Sequence, residues 1–562
     1  MRKPLISLVF LLVLLAEGSG QVGVSLQPET RTISHQLIGI NGRSTEGPSW
    51  DDDVFLTLVD AMHPGMVRYP AGTQANYWDW RTGTFIEGCG KTAKYNFSMA
   101  SFVAGLPVES EIIYVVNMAR PTPASGVDLN ASEAVLKSDE TLLLKIEDIL
   151  AALAEFKRLG RFPEAIELGN EFYFDNEHAA IYAADPAFYM NHAQKVCHKV
   201  KEVYPDLKIL LCTTKGGTTS RENWNNTVFN TLQRDAEFAG LVHGIVQHHY
   251  INTAYGDPAL VVDVASAKKA MAEGFQYPQE HASDYAMVPA DLALWLTEYG
   301  ATKENADGSW TAGLRAVSMT LGWMDLGNNI ERLFYHHITD NPNVINKEHM
   351  ELGPIGMALG LLGEAAQSKI RLQEIQFTNN PLASGSIVAL HGYKFKNQEE
   401  ETLFILNIGD EGHEAIDISG LLSYSGLPQL TQHWSVSPYE SPVFEGSEIE
   451  TQEKALNGHL TIHPFSVAMI KVANDGNTGI EEQEWMKQVK VYPSAFDQRF
   501  TLELPIDAKE SEVVLSDLSG QVCYQSKVKS ASSHHTPHVS AGLYVLTIKT
   551  KQGVISQKVR KK

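Results

Sequence analysis

From about Leu37 to Ala366 the chain alternates short apolar runs with longer amphipathic stretches. The runs are Leu37–Ile40, Met66–Tyr69, Ile112–Val116, Ala165–Leu168, Ile209–Leu211, Gly244–Gln247, Leu292–Leu296 and Leu333–Tyr335. Near-continuous apolarity over four or five residues predicts strands buried on both faces, as in a parallel sheet. Helical periodicity fills most of the gaps, for example over Thr141–Leu159, Pro186–Val203 and Gly313–Leu326. Eight strand–helix alternations over roughly 330 residues predict one (β/α)8 barrel, spanning residues 37–366. The alternative is an open doubly wound sheet. It is disfavoured because no G-x-G-x-x-G follows a strand.

The flanking segments have a different pattern. Val22–Leu26 and Thr30–Ile33 predict a strand pair in residues 21–36. Over 367–475 helical periodicity fades, and Ile387–Leu390, Thr402–Ile408 and Leu460–Val472 alternate or run apolar between turn residues. This predicts an accessory antiparallel β-sandwich packed on the barrel, with the N-terminal strands joining it. A polar, acidic stretch at 476–488 predicts a linker. Residues 489–562 form a small β-rich module with runs at Val489–Tyr492, Phe500–Leu504, Glu512–Leu518, Gly542–Lys549 and Val554–Val559, ending in Lys558-Val-Arg-Lys-Lys.

Composition narrows the function. The 562 residues are 43% hydrophobic and 20% charged, a folded composition. Lys+Arg 45 against Asp+Glu 67 gives a net charge of −22, which argues against a nucleic-acid partner. Arg2 and Lys3 precede an apolar run over Leu5–Ala16 and small residues ending at Gly20. The pattern predicts a signal peptide over 1–20, because the run is short of the ~20 residues that span a bilayer. No later stretch predicts a transmembrane segment. The four cysteines lack metal-type spacing and exclude a disulfide-built scaffold; Cys197 and Cys212 remain a conceivable pair. No zinc or calcium loop is evident, and no metal or cofactor is expected.

In the C-terminal module four motifs follow in order: Val491-Tyr-Pro-Ser-Ala-Phe, Val514-Leu-Ser-Asp-Leu-Ser-Gly, Ser540-Ala-Gly-Leu-Tyr-Val and Gly553-Val-Ile-Ser-Gln-Lys-Val. They resemble the sorting domain of the Bacteroidetes type IX secretion system, whose pattern is Y-P-N-P, D-x-x-G, G-x-Y and a basic end. Ser494 and Ala495 stand where the family has Asn-Pro. The resemblance implies the type IX machinery as a partner, and a secreted or outer-membrane-attached protein.

The chemistry of a barrel of this kind lies at the C-terminal ends of its strands. Those ends carry Asn41, Arg68-Tyr-Pro-Ala-Gly, Asn117, Gly169-Asn-Glu-Phe-Tyr, His248-His-Tyr, Thr297-Glu-Tyr-Gly and Tyr335-His-His. Glu171 and Glu298 each closely follow an apolar run, in the fourth and seventh strands. Cleaving a glycosidic bond needs such a pair, an acid for the leaving oxygen and a carboxylate that attacks C1 or activates water. Two ordinary solvated glutamates are the plain alternative. Arg68 is placed to hold Glu298 ionised. Tyr250 is a candidate partner of that carboxylate, and His249 or His248 of a sugar hydroxyl. Adjacent histidines point to opposite faces of a strand, which disfavours a shared metal. Trp78 and Trp80, in the cluster Tyr77-Trp-Asp-Trp, are the best candidates to stack on a sugar, with Tyr77, Tyr173 and Trp310 behind them. Asn117 and Tyr335 complete the candidate set.

Gly169-Asn170-Glu171 after strand four and Glu298 after strand seven resemble the retaining glycoside hydrolases of clan A, the 4/7 barrels. Barrel and sandwich together are similar to families 51, 39 and 79. Arg68-Tyr-Pro-Ala-Gly is similar to the R-F-P-G-G element of family 51, with Ala71 in place of a Gly. The resemblance implies Glu171 as acid/base, Glu298 as nucleophile and Asn170 as partner of the 2-hydroxyl of the reacting sugar. The expected function is a secreted retaining hydrolase of polysaccharide or oligosaccharide, arabinofuranosidase-, xylosidase- or glucuronidase-like. The alternative is a catalytically silent carbohydrate-binding protein of the cell surface, which the two intact carboxylates disfavour. A structural adhesin would have no use for a polar barrel mouth.

Overall fold

The computed structural model describes residues 21–34, 36–43, 47–93, 97–251, 263–301, 309–327, 329–339, 344–440, 449–474, 489–492, 495–504, 511–517, 521–528, 532–550 and 554–561. The expected signal peptide, the linker at 476–488 and parts of the sorting motifs lie outside these residues.

Eight parallel strands close into a barrel. In chain order they are β1 (Ile38–Asn41), β2 (Met66–Tyr69), β3 (Glu111–Val115), β4 (Ala165–Leu168), β5 (Lys208–Cys212), β6 (Gly244–Ile251), β7 (Ala293–Ala301) and β8 (Ile330–Tyr335). Each is one of the eight apolar runs in the sequence, and each is followed by a helix. Helix starts are fixed locally: the side chains of Asp52, Ser138, Asp185, Thr218 and Asp263 each accept a backbone N–H from the first turn that follows.

One layer of side chains fills the barrel interior: Met66, Ile113, Ala165, Leu210, Val246, Trp295 and Phe334 form a separate buried cluster. Side chains alternate along a strand, so the residues two further on point inward one layer higher, toward the mouth. From Met66, Ala165, Val246 and Phe334 that rule gives Arg68, Glu167, His248 and His336. On β7 the rule is broken usefully. Val246 pairs with Trp295 but His248 with Glu298, and Leu296 pairs with Leu333 but Tyr299 with Tyr335. β7 thus carries one extra residue against both neighbours. This bulge re-aims the strand so that Glu298, three residues past Trp295, faces the site.

The accessory sheet has β-strands from both sides of the barrel sequence. Gly23–Leu26 pairs with one end of Arg371–Thr378 and Arg31–Thr32 with the other. The two N-terminal segments were expected to pair with each other; instead both lie along the same later strand. The stretch Leu460–Val472 is likewise two strands, His459–Ile462 and Ser466–Ala473, in two different sheets. Pro464 between them has no N–H to continue a ladder. The central strand Glu400–Asn407 is buried on both faces. Leu403 and Ile405 join the sandwich core, whereas Phe404 and Leu406 join the core of the barrel's helical layer. Trp310, on the helix after β7, is fully buried and donates its indole N–H to the Phe465 carbonyl at 2.6 Å.

The C-terminal segment folds around Phe500, Leu502, Val513, Leu515, Leu546 and Ile548. It has a three-stranded and a five-stranded sheet, and includes Val522–Val528 and Ser532–His535, which the sequence pattern did not single out. All four cysteines are free thiols. Among the described residues, no helix is long and apolar enough to cross a membrane.

Candidate active site

At the C-terminal end of the barrel, Arg68 is the hub. Its guanidinium is completely buried and touches three side chains. Nε and Nη2 donate to the two oxygens of Glu167, at 2.9 and 2.7 Å, and Nη2 also donates to Asn170 Oδ1 at 2.7 Å. Nη1 donates to Glu298 Oε1 at 2.5 Å. Asn41 reaches the same oxygen at 3.5 Å, and the Tyr250 hydroxyl donates to the other, Oε2. Burial by itself opposes ionisation of Glu298. His248, His336, Arg68 and the Tyr250 hydroxyl more than offset it and hold the carboxyl well below the usual carboxylate range. His336 is itself pushed down to about 4 by burial, so at neutral pH it is an uncharged neighbour. Arg68 is then the standing cation. Burial opposes the charge on His248, but Glu298 and Glu171 raise its pKa above the ordinary histidine value.

Glu171 faces Glu298 across His248. His248 Nδ1 lies 3.0 Å from Glu171 Oε1 and 3.5 Å from Glu298 Oε2, and its other nitrogen is 3.2 Å from Thr297 Oγ1. Tyr173 donates its hydroxyl to Glu171 at 2.8 Å. Glu171 is reached through a tight turn. Gly169 has φ +82°, and a Cβ there would sit 2.0 Å from the Phe172 ring; Glu171 itself has φ 54°. Non-glycine residues in this region cost of order 1–3 kcal/mol and cluster at functional sites. Asn76 fixes the turn by donating to the Asn170 carbonyl at 2.8 Å. One oxygen each of Glu171 and Glu298 and a nitrogen of His248 lie within 4.8 Å of one another. That spacing suits a metal, but these carboxylates already accept from Arg68, Tyr250 and Tyr173, so a cation would have to displace those donors.

Glu298 opens on a cavity of about 290 Å3, lined by Gly72, Thr73, Tyr77, Lys91, His178 and His336 among others. Gly72 is required there: a Cβ at this residue would sit 2.0 Å from Glu298 Oε1. A cleft of similar size, about 300 Å3, is lined by Arg31, Lys208, Glu331 and Arg332 at the opposite end of the strands, away from the carboxylates.

Of the residues singled out in the sequence, the fold brings together Glu171, Glu298, Asn170, Arg68 and Tyr250. His248 and Tyr173 join them, whereas His249, Tyr335, Trp78, Trp80 and Asn117 lie elsewhere. His249 is fully buried outside the barrel, stacked on Tyr285 and bonded to Gln247, because alternation from Val246 turns His248 inward instead. Tyr335, next to inward Phe334, also points outward and packs edge-on against Tyr299. Trp78 is 2% exposed, bonded to the Tyr69 hydroxyl and packed against Phe85 and Phe97, with no open face for a sugar. Trp80 donates to Asp148 and lies under the Arg81 guanidinium. Asn117 donates to the Trp78 carbonyl and accepts from the Arg120 backbone, which makes it a loop clamp. From that aromatic cluster it is Tyr77 that lines the cavity. Glu167 was missed. A lone glutamate inside the apolar strand Ala-Ile-Glu-Leu was the available signal.

The comparisons agree with this architecture. The chain is similar to AbfB, a family 51 α-L-arabinofuranosidase from Bifidobacterium longum, with 15% identity over 80% of this chain and 99% of that one, at a TM-score of 0.55. An α-L-arabinofuranosidase from Thermotoga maritima matches at 14% identity, over 81% of this chain and all of that one, with a TM-score of 0.55. A 4-O-α-L-rhamnosyl-β-D-glucuronidase from Fusarium oxysporum matches at 13% identity, over 80% of this chain and all of that one, with a TM-score of 0.53. At such identities the likeness is one of fold, the barrel-plus-sandwich architecture of these clan A glycoside hydrolases. No curated protein sequence matches the chain. Residues 490–562 match the secretion system C-terminal sorting domain, which marks the protein for type IX secretion to the exterior or the cell surface.

Proposed function

We propose that the protein is a secreted retaining glycoside hydrolase acting on polysaccharide or oligosaccharide by double displacement, with Glu298 as nucleophile and Glu171 as acid/base. The observation that carries this reading is the pair of carboxylates just after β4 and on β7, with oxygens within 4.8 Å of each other and one of them held ionised by Arg68 and Tyr250. Retaining enzymes keep their carboxyl groups about 5–5.5 Å apart, and inverting enzymes about 6.5–9.5 Å. In the first step an Oε of Glu298 forms a bond to the anomeric carbon. The bond to the leaving oxygen breaks, and that oxygen takes the proton of Glu171. In the second, Glu171 takes a proton from water, the water oxygen bonds to the same carbon and Glu298 leaves as a carboxylate. The side-chain N–H2 of Asn170 has only 3.5 Å contacts, to Thr73 and Glu171, and is the donor for the 2-hydroxyl of the reacting sugar. The fold neighbours favour arabinofuranoside or glucuronide substrates, and the sequence resemblance to family 39 adds xylosides.

The test is a panel of 4-nitrophenyl α-L-arabinofuranoside, β-D-xylopyranoside and β-D-glucuronide, followed by substitution and azide. Glu171→Ala should keep the first step on such activated substrates and be rescued by azide to a glycosyl azide of retained configuration. Glu298→Ala should give an inverted azide, if any. The opposite pattern of anomers by NMR reverses the two roles. Undiminished turnover in both variants removes the carboxylate pair from the reaction.

A further inference from the structure

Glu167 is a buried carboxylate that the double displacement itself does not use. It lies on β4, fully buried, and binds Arg68 through both oxygens, at 2.9 and 2.7 Å. Glu298 takes the remaining edge of the same guanidinium at 2.5 Å. Arg68 is thus fully buried and shared between two carboxylates.

Sharing matters because only one of the two changes charge during the reaction. When Glu298 bonds to the anomeric carbon it becomes a neutral ester, and the proton given up by Glu171 leaves that residue as a carboxylate. The site keeps its net charge, but one negative charge has moved from Glu298 to Glu171. Glu171 then faces His248 at 3.0 Å, whereas Arg68 faces Glu167, Asn170 and the ester. A buried cation that loses its counter-ion is strongly unfavourable. We propose that Glu167 is the standing counter-ion of Arg68, a positioning residue that lets Glu298 pass from carboxylate to ester and back without leaving the guanidinium unpaired. This rests on Glu298 being the nucleophile.

A second consequence follows from the same geometry. By engaging Nε and Nη2, Glu167 limits how strongly Arg68 polarises Glu298. Without it the full guanidinium charge falls on Glu298, which becomes a poorer nucleophile and a better leaving group. Removing the charge of Glu167 therefore slows ester formation more than ester hydrolysis.

Two measurements test this on the full secreted chain. The first needs no activity. Glutamine at 298 mimics the neutral ester, so Tm is measured for Glu298→Gln, Glu167→Gln and the double variant. The double variant should fall below the sum of the singles by about 5 °C or more, because only there is the buried guanidinium without a carboxylate. Additive effects overturn the proposal. The second is stopped-flow release of 4-nitrophenol from whichever panel substrate the wild type turns over fastest. Glu167→Gln should lower the burst rate about 10- to 100-fold and the steady-state hydrolysis of the ester less, and Glu167→Asp, which keeps the charge, should restore most of the burst rate. Equal loss in both steps reduces Glu167 to a packing residue. If Glu167→Gln does not fold, Glu167→Asp alone decides: a folded Asp variant whose burst rate falls more than about 10-fold below wild type overturns the proposal. Full turnover by Glu298→Gln removes the nucleophile assignment and the proposal with it. A dead Glu298→Gln with additive Tm effects removes only the role of Glu167.

Discussion

Two buried carboxylate–cation clusters, around Glu298 and around Glu401, differ in what surrounds them. In the sandwich, Glu401 is fully buried and closed off. Oε1 accepts the backbone N–H groups of Ser423 and Tyr424 at 2.6 and 2.8 Å, and Oε2 accepts the Ser423 hydroxyl at 2.5 Å and Lys394 at 2.7 Å. Lys394 in turn donates to the Leu421 carbonyl at 2.6 Å. At the barrel mouth, Glu298 is bonded by side chains alone, from β1, β2 and β6, and one side of it opens on the cavity. A closed cluster fixes a loop onto a sheet. A cluster of side chains from separate strands with one side left open holds a charged oxygen where a substrate can reach it. The difference lies in the partners and the access, since both carboxyls are held below the ordinary carboxylate range.

Exchanging the carboxylates for amides separates the two roles most strongly. Glu298→Gln should lower kcat by about 10^4-fold or more while the protein stays folded, because Glu167 still pairs with Arg68. Glu401→Gln should leave the kcat of folded protein unchanged and cost about 3–5 kcal/mol of stability, through the unpaired Lys394. Turnover assays beside urea unfolding read both. A large activity loss in Glu401→Gln with full folding would erase the distinction.

A smaller effect comes from Gly72. A Cβ there would meet Glu298 Oε1 at 2.0 Å, so Gly72→Ala has to push the carboxylate off Arg68. We expect kcat/KM to fall about 10- to 100-fold, with a stability cost of about 1–3 kcal/mol typical of overpacking. A KM-only effect would mean that the carboxylate stays put and the methyl group merely fills the cavity.

Acid sharpens the comparison further. Burial opposes ionisation of Glu401, but Lys394, Ser423 and the backbone N–H groups outweigh it, so its folded pKa is depressed. A depressed carboxylate contributes stability above its unfolded pKa, about 4.3, and loses it as pH falls through the folded value. The stability gap between wild type and Glu401→Gln should therefore be constant from about pH 7 to 5.5 and shrink below about 4.3. Urea midpoints along that range measure it. A gap that grows on acidification would reverse the sign of the shift.

How far the sequence reveals this depends on the kind of signal. The eight barrel strands were legible because a strand buried on both faces is a short apolar block, and Asn170-Glu171 and Glu298 were legible because they end such blocks. Glu167 was not, since it sits inside one. Alternation from Ala165 points it inward beside Arg68, but that inference needs to know which residues of β4 face the axis. The same knowledge separates His248 from His249 and explains why Tyr335 turns outward. The bulge on β7 leaves no trace in Leu-Trp-Leu-Thr-Glu, because an extra residue is defined only against neighbouring strands. The aromatic cluster misled for a related reason. Tyr77, Trp78 and Trp80 are equivalent in composition, and only the packing of Phe85, Phe97 and Asp148 decides which ring remains at the cavity.

The smallest expected effect concerns the residue that departs from the R-F-P-G-G pattern. Ala71 is fully buried with φ 132°, a backbone region that L-residues with a Cβ rarely occupy. Its peptide leads directly to Gly72 and so to Glu298. Such a conformation costs of order 1–3 kcal/mol for a non-glycine residue. Glycine would relieve that cost but gain about 0.5–1 kcal/mol of unfolded-state entropy. Ala71→Gly should accordingly raise stability by about 1 kcal/mol or less, a Tm gain of about 1–3 °C. No side chain leaves the site, so kcat/KM should stay within about threefold of wild type, in contrast to Gly72→Ala one residue on. Thermal unfolding together with kcat/KM separates the alternatives. A lower Tm would mean that the alanine sits there without strain. A higher Tm with a kcat/KM fall beyond threefold would mean that the strain at Ala71 is what presses Gly72 against the carboxylate.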